Sequence, residues 1–487
     1  MNAASVLTNF LWRLFERAGA QGVKLLVEIV LARILLPEEY GDIAILTVFI
    51  TVLNVFVDSG LGNALIQKKD VDDLDYSSVF WFNIVWCLLM YLVLYVSAPL
   101  IAAYYGNEAL CPVLRVLGIQ VIISGVKNVF QAYVSRNMLF RKFFFATLGG
   151  TLGAAAVGIW MAKNGMGIWA LVGQHLFNVL TDTVILFFMV RWKPKRMFSL
   201  QRLKGLLGYG WKLLFSALLD TVYNELSQLV IGKVYTSADL AYYNRGLQFP
   251  SVITANINAS IDSVLLPTMS REQDTRSRVR AMTKRAIKTS TFFMAPLMTG
   301  LAFAAEPVVR LLLTDKWLPA VPFLRIFCAA YLFFPIHTAN LNAIKAIGRS
   351  DVFLKLEIAK KVIGVAVILA TMRISVEAMA WGLLANSAAC QVINAWPNRK
   401  LLDYRYTEQI RDILPNIGTA LVMGAAIFPL QYLPAPAWAV LGLQVLAGAG
   451  IYWGLARMTK NESCGYVLGV LKKALNRRGS ADNGGRL

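Results

Sequence analysis

Charge is scarce in this chain. Only 16% of its 487 residues are Asp, Glu, Lys or Arg, against 57% that are apolar, whereas a soluble domain carries about 25% charged residues. Histidine is scarcer still. His175 and His337 are the only two, too few to build a metal site unaided, and each reads as a hydrogen-bonded core residue. Cys87, Cys111, Cys328, Cys390 and Cys464 show none of the paired spacings of metal or redox sites and read as apolar filler. Neither a metal nor another cofactor is expected. A Gly-x-x-x-x-Gly-Lys-Ser/Thr loop is missing too, which argues against ATP hydrolysis. The first residues lack the short layout of a cleavable signal, so the first apolar segment is expected to stay as an anchor.

What the chain does have is apolar runs long enough to cross about 30 Å of hydrocarbon, such as 76–103 and 292–313. They are continuous rather than alternating, and only helices or closed barrels satisfy backbone groups in lipid. About fourteen transmembrane helices are expected, the first at 7–32 and the last at 437–456. The net charge of +20 resembles a nucleic-acid footprint until the basic residues are placed. Segments assigned to one side of the membrane hold 34 Lys and Arg, those on the other side 7, and spans the rest. That asymmetry is the positive-inside pattern. It predicts that both termini are cytoplasmic and leaves little room for a nucleic-acid partner.

An internal repeat organises the spans. The string Ala32-Arg33-Ile34-Leu35-Leu36-Pro37-Glu38-Glu39-Tyr40-Gly41 parallels Gly232-Lys233-Val234-Tyr235-Thr236-Ser237-Ala238-Asp239-Leu240-Ala241. Further on, Pro112-Val113-Leu114-Arg115-Val116-Leu117 parallels Pro322-Phe323-Leu324-Arg325-Ile326-Phe327. Six helices per repeat is an even number, so the halves run parallel rather than inverted. The expected architecture is all-α: an N-lobe over 1–195, a C-lobe over 196–397, two further helices over 398–457 and a cytoplasmic tail over 458–487. A surface-lying amphipathic stretch is expected at 466–475 and disorder over 477–487. Gly149, Gly150 and Gly153 favour close helix packing in the fifth span.

Several charges fall inside the spans. The first carries Arg13, Glu16, Arg17, Lys24 and Glu28, and a charge at the bilayer centre costs about 2.5–3.5 kcal/mol on insertion scales. At about 100° per residue, Arg13, Arg17, Lys24 and Glu28 share one stripe, with Gln21 beside it. Such a stripe should face a wet interior rather than lipid. On the seventh span Lys212, Ser216, Asp220, Tyr223 and Ser227 share a face bordered by Asn224. Asp58, Lys127, Asp262, Arg115 and Arg325 are also intramembrane. Arg115, Arg325 and Asp58 serve equally well as pairings that hold helices together, or as coupling or gating groups alongside Asp262. A basic cavity of low dielectric suits an anionic group such as diphosphate.

The strings at 32–41, Asp58-Ser59-Gly60-Leu61-Gly62 ahead of Ala64-Leu65-Ile66-Gln67, Tyr242-Tyr243-Asn244, Lys316-Trp317 and Ile347-Gly348-Arg349-Ser350-Asp351 carry a family likeness. On these residues the chain resembles the polysaccharide transporter family of the multidrug/oligosaccharidyl-lipid/polysaccharide flippase superfamily, nearest its colanic-acid exporter and lipopolysaccharide O-unit branch. The resemblance implies two six-helix lobes around a central cavity. It also implies alternating access that moves undecaprenyl-diphosphate-linked oligosaccharide across a bacterial inner membrane. On that reading Arg13, Arg17 and Lys24 hold the diphosphate, Glu28 lines the same cavity, and Lys212, Asp220 and Asn224 meet the sugar or gate the cavity. Partners would be the lipid-linked oligosaccharide, membrane lipids, a polysaccharide polymerase and assembly proteins. A cation-coupled exporter of small molecules or drugs is the alternative, with Asp58, Asp220 and Asp262 as carriers of a proton or sodium ion. An enzyme is the least favoured reading, because the outer segments are short and poor in acid–base groups.

Overall fold

The computed structural model describes residues 21–58, 60–466 and 468–469, without the side chains of Tyr209, Lys212 and Ser260. Arg13, Glu16 and Arg17, the tail beyond 469 and most of the 466–475 stretch lie outside the described residues. All regular structure within them is helical. Helix α1 runs to residue 34 and is followed by α2 (Pro37–Asp58), α3 (Leu61–Gln67), α4 (Asp73–Tyr105), α5 (Leu110–Leu117) and α6 (Ile119–Arg136). Next come α7 (Phe140–Lys163), α8 (Ile168–Met189), α9 (Leu200–Val234), α10 (Ser237–Arg271), α11 (Arg276–Phe303) and α12 (Ala305–Leu313). The last are α13 (Val321–Leu332), α14 (Phe334–Ala346), α15 (Ser350–Thr371), α16 (Val376–Ala395), α17 (Asn398–Leu401), α18 (Tyr406–Ile427) and α19 (Ala437–Met458).

Eight stretches among the described residues are long and apolar enough to cross a membrane. A ninth forms if α11 and α12, bent by 71° at Ala304, count as one span. Other long helices carry polar residues within their length: α15 holds Asp351, Lys355, Glu357, Lys360 and Lys361. Their outer faces nevertheless suit lipid. Leu100, Phe188 and Leu446 are each more than 70% exposed, which water would penalise and hydrocarbon does not. The chain is a multi-pass, all-α membrane protein.

Packing divides it into two compact units, one ending at Ala241 and the other beginning at Tyr242. The sequence repeat puts its lobe boundary at 195–196, so the two divisions differ by one helix. By the repeat, α9 opens the second lobe; by packing, it belongs to the first unit.

The first unit holds α9 along its whole length. At its start the backbone N–H groups of Lys195 and Ser199 donate to Ser77 Oγ (3.1 Å) and Ser78 Oγ (2.9 Å), and Trp81 Nε1 donates to the Lys195 carbonyl. Arg202 reaches Asp72 at 3.5 Å and the buried Asp75 at 3.8 Å. Asp72 and Asp75 also cap α4 reciprocally, Asp72 accepting from the Asp75 N–H at 2.9 Å and Asp75 from the Asp72 N–H at 3.2 Å. Higher up, α9 crosses the break between α2 and α3. Gly60 there has φ of +70°, and a Cβ on it would stand 2.6 Å from Gly210 Cα. Glycine alone meets both demands. Below α9, Tyr76, Phe80, Phe130, Tyr133 and Trp192 interlock as an aromatic core. The close packing expected of Gly149, Gly150 and Gly153 is taken up by α8, since a Cβ on Gly150 would come within 3.0 Å of the Asn178 carbonyl oxygen.

The second unit has a polar staple in its core. Asn340 on α14 donates to Gln409 Oε1 at 2.7 Å, Gln409 returns a bond to Asn340 Oδ1, and Asn398 donates to that same oxygen at 2.6 Å. All three are fully buried. Nearby, Tyr404 donates to Asp412 at 2.7 Å, and Asp412 is also reached by Lys284 and Lys288 on α11. These bonds tie α18 to the helices of the repeat.

Candidate substrate path and intramembrane polar groups

Of the expected stripe on the first helix, Lys24 and Glu28 fall within the described residues. Their relation is the one that a four-residue spacing on a helix dictates: Lys24 Nζ lies 3.8 Å from Glu28 Oε1, with the lysine side chain 66% exposed and the glutamate 19%. Val27, Leu31 and Ala32, on the same side of α1 as Lys24 and Glu28, are buried, whereas Leu26 and Val30 on the other side are exposed. The described part of α1 thus carries an open cation one turn from a largely buried acid. On α9, Asp220 and Asn224 are exposed along the helix, while the side chain of Lys212 lies outside the described residues. Glu225, which the sequence pattern did not single out, accepts from Gln228 Nε2 at 2.6 Å.

Asp58 and Asp262 each meet an amide. Asn128 Nδ2 donates to Asp58 Oδ1 at 2.7 Å, and Asn342 Nδ2 donates to Asp262 Oδ1 at 2.6 Å. Asp58 ends α2 and Asn128 lies on α6; Asp262 lies on α10 and Asn342 on α14, the repeat counterparts. The same duplication governs the arginines. Arg115 Nε donates to the Tyr95 carbonyl at 3.3 Å with its guanidinium 4.2 Å from the Tyr95 ring, and Arg325 Nε donates to the Ala302 carbonyl at 3.4 Å. Each arginine thus fastens its helix to the preceding long one.

The first unit also buries an ion pair between Lys127 on α6 and Asp182 on α8. A charge inside the hydrocarbon layer needs such a partner. Asp182, an acid inside an apolar run, is as conspicuous in the sequence as Lys127, but nothing there marks two residues 55 positions apart as partners. His337, expected as a hydrogen-bonded core residue, is buried with Nδ1 2.9 Å from Asn394 Nδ2. Cys87, Cys328, Cys390 and Cys464 are buried thiols without disulfides, and Cys111 is partly exposed.

At the other end of α9 from Arg202, the two repeat strings touch. Ser237 Oγ donates to Asp42 Oδ1 at 2.5 Å, and Asn107 Nδ2 donates to the other oxygen at 3.4 Å. A Cβ on Gly41 would lie 1.7 Å from the Ser237 carbonyl oxygen. Lys233 Nζ bonds the Tyr104 carbonyl and sits over that ring.

A duplicated array of long apolar helices, with several charges inside them met by groups on neighbouring helices, defines a multi-pass membrane protein. The chain belongs to the polysaccharide biosynthesis protein family, whose model matches residues 30–322. It is 28% identical over 325 residues to the succinoglycan biosynthesis transport protein ExoT of Rhizobium meliloti strain 1021, covering 66% of each chain. It is 24% identical over 413 residues to the teichuronic acid biosynthesis protein TuaB of Bacillus subtilis strain 168, covering 82% of this chain and 84% of that one. Among solved structures it is similar to the lipid II flippase MurJ in an inward closed conformation, with a TM-score of 0.74 at 16% identity over 92% of this chain and 98% of that one. At that identity the likeness is one of fold.

Proposed function

We propose that this protein is a flippase that carries a lipid-linked polysaccharide repeat unit across the cytoplasmic membrane by alternating access. The observation that carries the reading is membership of the polysaccharide biosynthesis family across residues 30–322. The relatives named for succinoglycan transport and teichuronic acid biosynthesis concern different polymers, so the feature they share is a glycan. A fold in common with a lipid II flippase adds the lipid carrier. Undecaprenyl diphosphate supplies two negative charges in apolar surroundings, and an exposed cation within a span is the group to receive them. Lys24 has that placement, and Arg13 and Arg17 share its stripe by helical periodicity. Glu28 keeps the stripe from holding the diphosphate irreversibly. Lys212, Asp220 and Asn224 on α9 are the groups for sugar hydroxyls. The asymmetry of basic residues supports an inner-membrane orientation with both ends cytoplasmic, where a polymerase and assembly proteins would take the flipped unit.

Deletion of the protein tests this reading. The lipid-linked glycan should accumulate on the cytoplasmic leaflet, and surface polymer should fall. Unchanged surface polymer, with altered resistance to small toxic cations instead, would move the assignment to a small-molecule exporter.

A further inference from the structure

Asn54 and Asp58, one helical turn apart on α2, recur as Asn258 and Asp262 on α10, both at an offset of 204 residues. The amide that meets each aspartate recurs as well: Asn128 and Asn342, at an offset of 214. Each compact unit therefore contains one copy of a trio, Asn and Asp from one helix and Asn from a second. Packing alone does not require three polar residues at matching places. Asp58 and Asp262 are exposed, Asn54 and Asn258 half-buried, and Asn128 and Asn342 buried, and burying an amide without partners is costly.

The hydrogen bonds fix how the trio is oriented. An ionised carboxylate only accepts, so Asn128 and Asn342 turn their N–H groups to Asp58 and Asp262, at 2.7 and 2.6 Å. In the first unit that leaves Asn128 Oδ1 buried without a protein partner on a residue only 8% exposed. Asn54 Oδ1 is buried and unpartnered too, and so is Asn258 Oδ1 in the second unit. Gly62, one turn beyond Asp58, keeps space beside the Asn128 oxygen, since a Cβ there would stand 3.2 Å from it. The nearby basic group, Lys127, is engaged by Asp182, and the repeat puts Leu341 at its place in the second unit.

We propose that each trio binds a hard monovalent cation of the size of sodium, held by the Asn54 and Asp58 side chains with Asn128 Oδ1 in the first unit and by Asn258 and Asp262 with Asn342 in the second. Carboxylate and amide oxygens are the ligands such ions take, whereas sulfur and imidazole suit softer metals. One carboxylate per trio balances one positive charge, and divalent oxygen sites commonly gather more. Among the described residues no group of three His, Cys, Asp or Glu side chains converges as a metal site. The proposal rests on these side chains and not on which substrate the protein carries.

Isothermal titration of the purified full-length protein tests it, with sodium chloride against choline chloride at fixed pH and ionic strength, and melting temperature as a second readout. One sodium ion per trio should bind. Asp58→Asn and Asp262→Asn, which preserve shape, should each remove one ion, and the double variant both. Asn54→Ala and Asn258→Ala should weaken their own site about tenfold or more, and elution as a single monodisperse peak checks that each variant folds. The proposal is overturned if sodium gives no heat or melting shift beyond choline, or if the double variant binds it as the native protein does. A response to pH that is equal in sodium and choline also overturns it, and assigns the trios to protons. Glycan export is not the readout, so failure here leaves the flippase reading intact.

Discussion

Ser237 donates its hydroxyl to Asp42 across 2.5 Å; Ser237 lies in the second copy of the repeat string, and Asp42 directly follows the first. Proline stands at the position equivalent to Ser237 in the first copy, Pro37, and proline has no hydroxyl to give. The divergence between copies thus creates the bond that joins them, so the halves play unequal parts at this contact.

Gly41 is the tightest point of that junction, with 1.7 Å between its would-be Cβ and the Ser237 carbonyl oxygen. Both sides are backbone, so neither can rotate away. Gly41→Val is expected to pry α2 from the start of α10 and cost about 1–3 kcal/mol, the range for overpacked sites. Differential scanning fluorimetry in detergent checks the stability. Labelling of a Ser237→Cys probe, faster in the Gly41→Val background, checks the separation.

The Lys127–Asp182 pair is buried on both sides, with side chains 18% and 6% exposed. Removing one partner leaves an uncompensated charge, so Lys127→Ala should destabilise the protein by about 3–5 kcal/mol. Lys127→Met with Asp182→Leu should recover most of that loss, because the unpaired charge is gone. Melting curves of the three variants in one detergent decide the point.

Asp72 lies outside the spans, and its carboxyl is held below its ordinary value of 3.8, first by the bond from the Asp75 backbone N–H and then by Arg202 and Lys68. A carboxylate with a lowered folded-state pKa adds stability above its unfolded pKa and loses it as pH falls through the folded one. Asp72→Ala should therefore cost about 1 kcal/mol as a lost helix cap near neutral pH. The difference from the native protein should begin to shrink as pH falls below about 4, the unfolded-state value, and continue to shrink as pH falls through the lowered folded-state value. Parallel unfolding curves across that range measure it.

The helical spans and the repeat were legible because long apolar runs and matching strings leave a mark at every position. Asp58 and Asp262 were legible as charges, since an acid inside an apolar run is conspicuous by itself. Their partners Asn128 and Asn342 were not: an asparagine seventy or more positions away carries no sign of which helix it will face. Nor could the break at Gly60 be read, for its cause is the backbone of Gly210, distant in sequence and close in space. The attachment of α9 to the first unit escaped the repeat for the same reason, being set by Arg202, Ser77 and Ser78 rather than by periodicity. The amide offsets of 204 and 214 were in the sequence throughout, and a repeat comparison of polar positions alone would have exposed the two trios.

Transport itself is most directly measured in proteoliposomes carrying a fluorescent undecaprenyl-diphosphate oligosaccharide, with a membrane-impermeant glycosidase scoring how much glycan changes leaflet. The native protein should speed that exchange well above empty vesicles, and Lys24→Ala should slow it at equal protein density. Exchange no faster than in empty vesicles, from protein that is folded and inserted, would contradict the assignment.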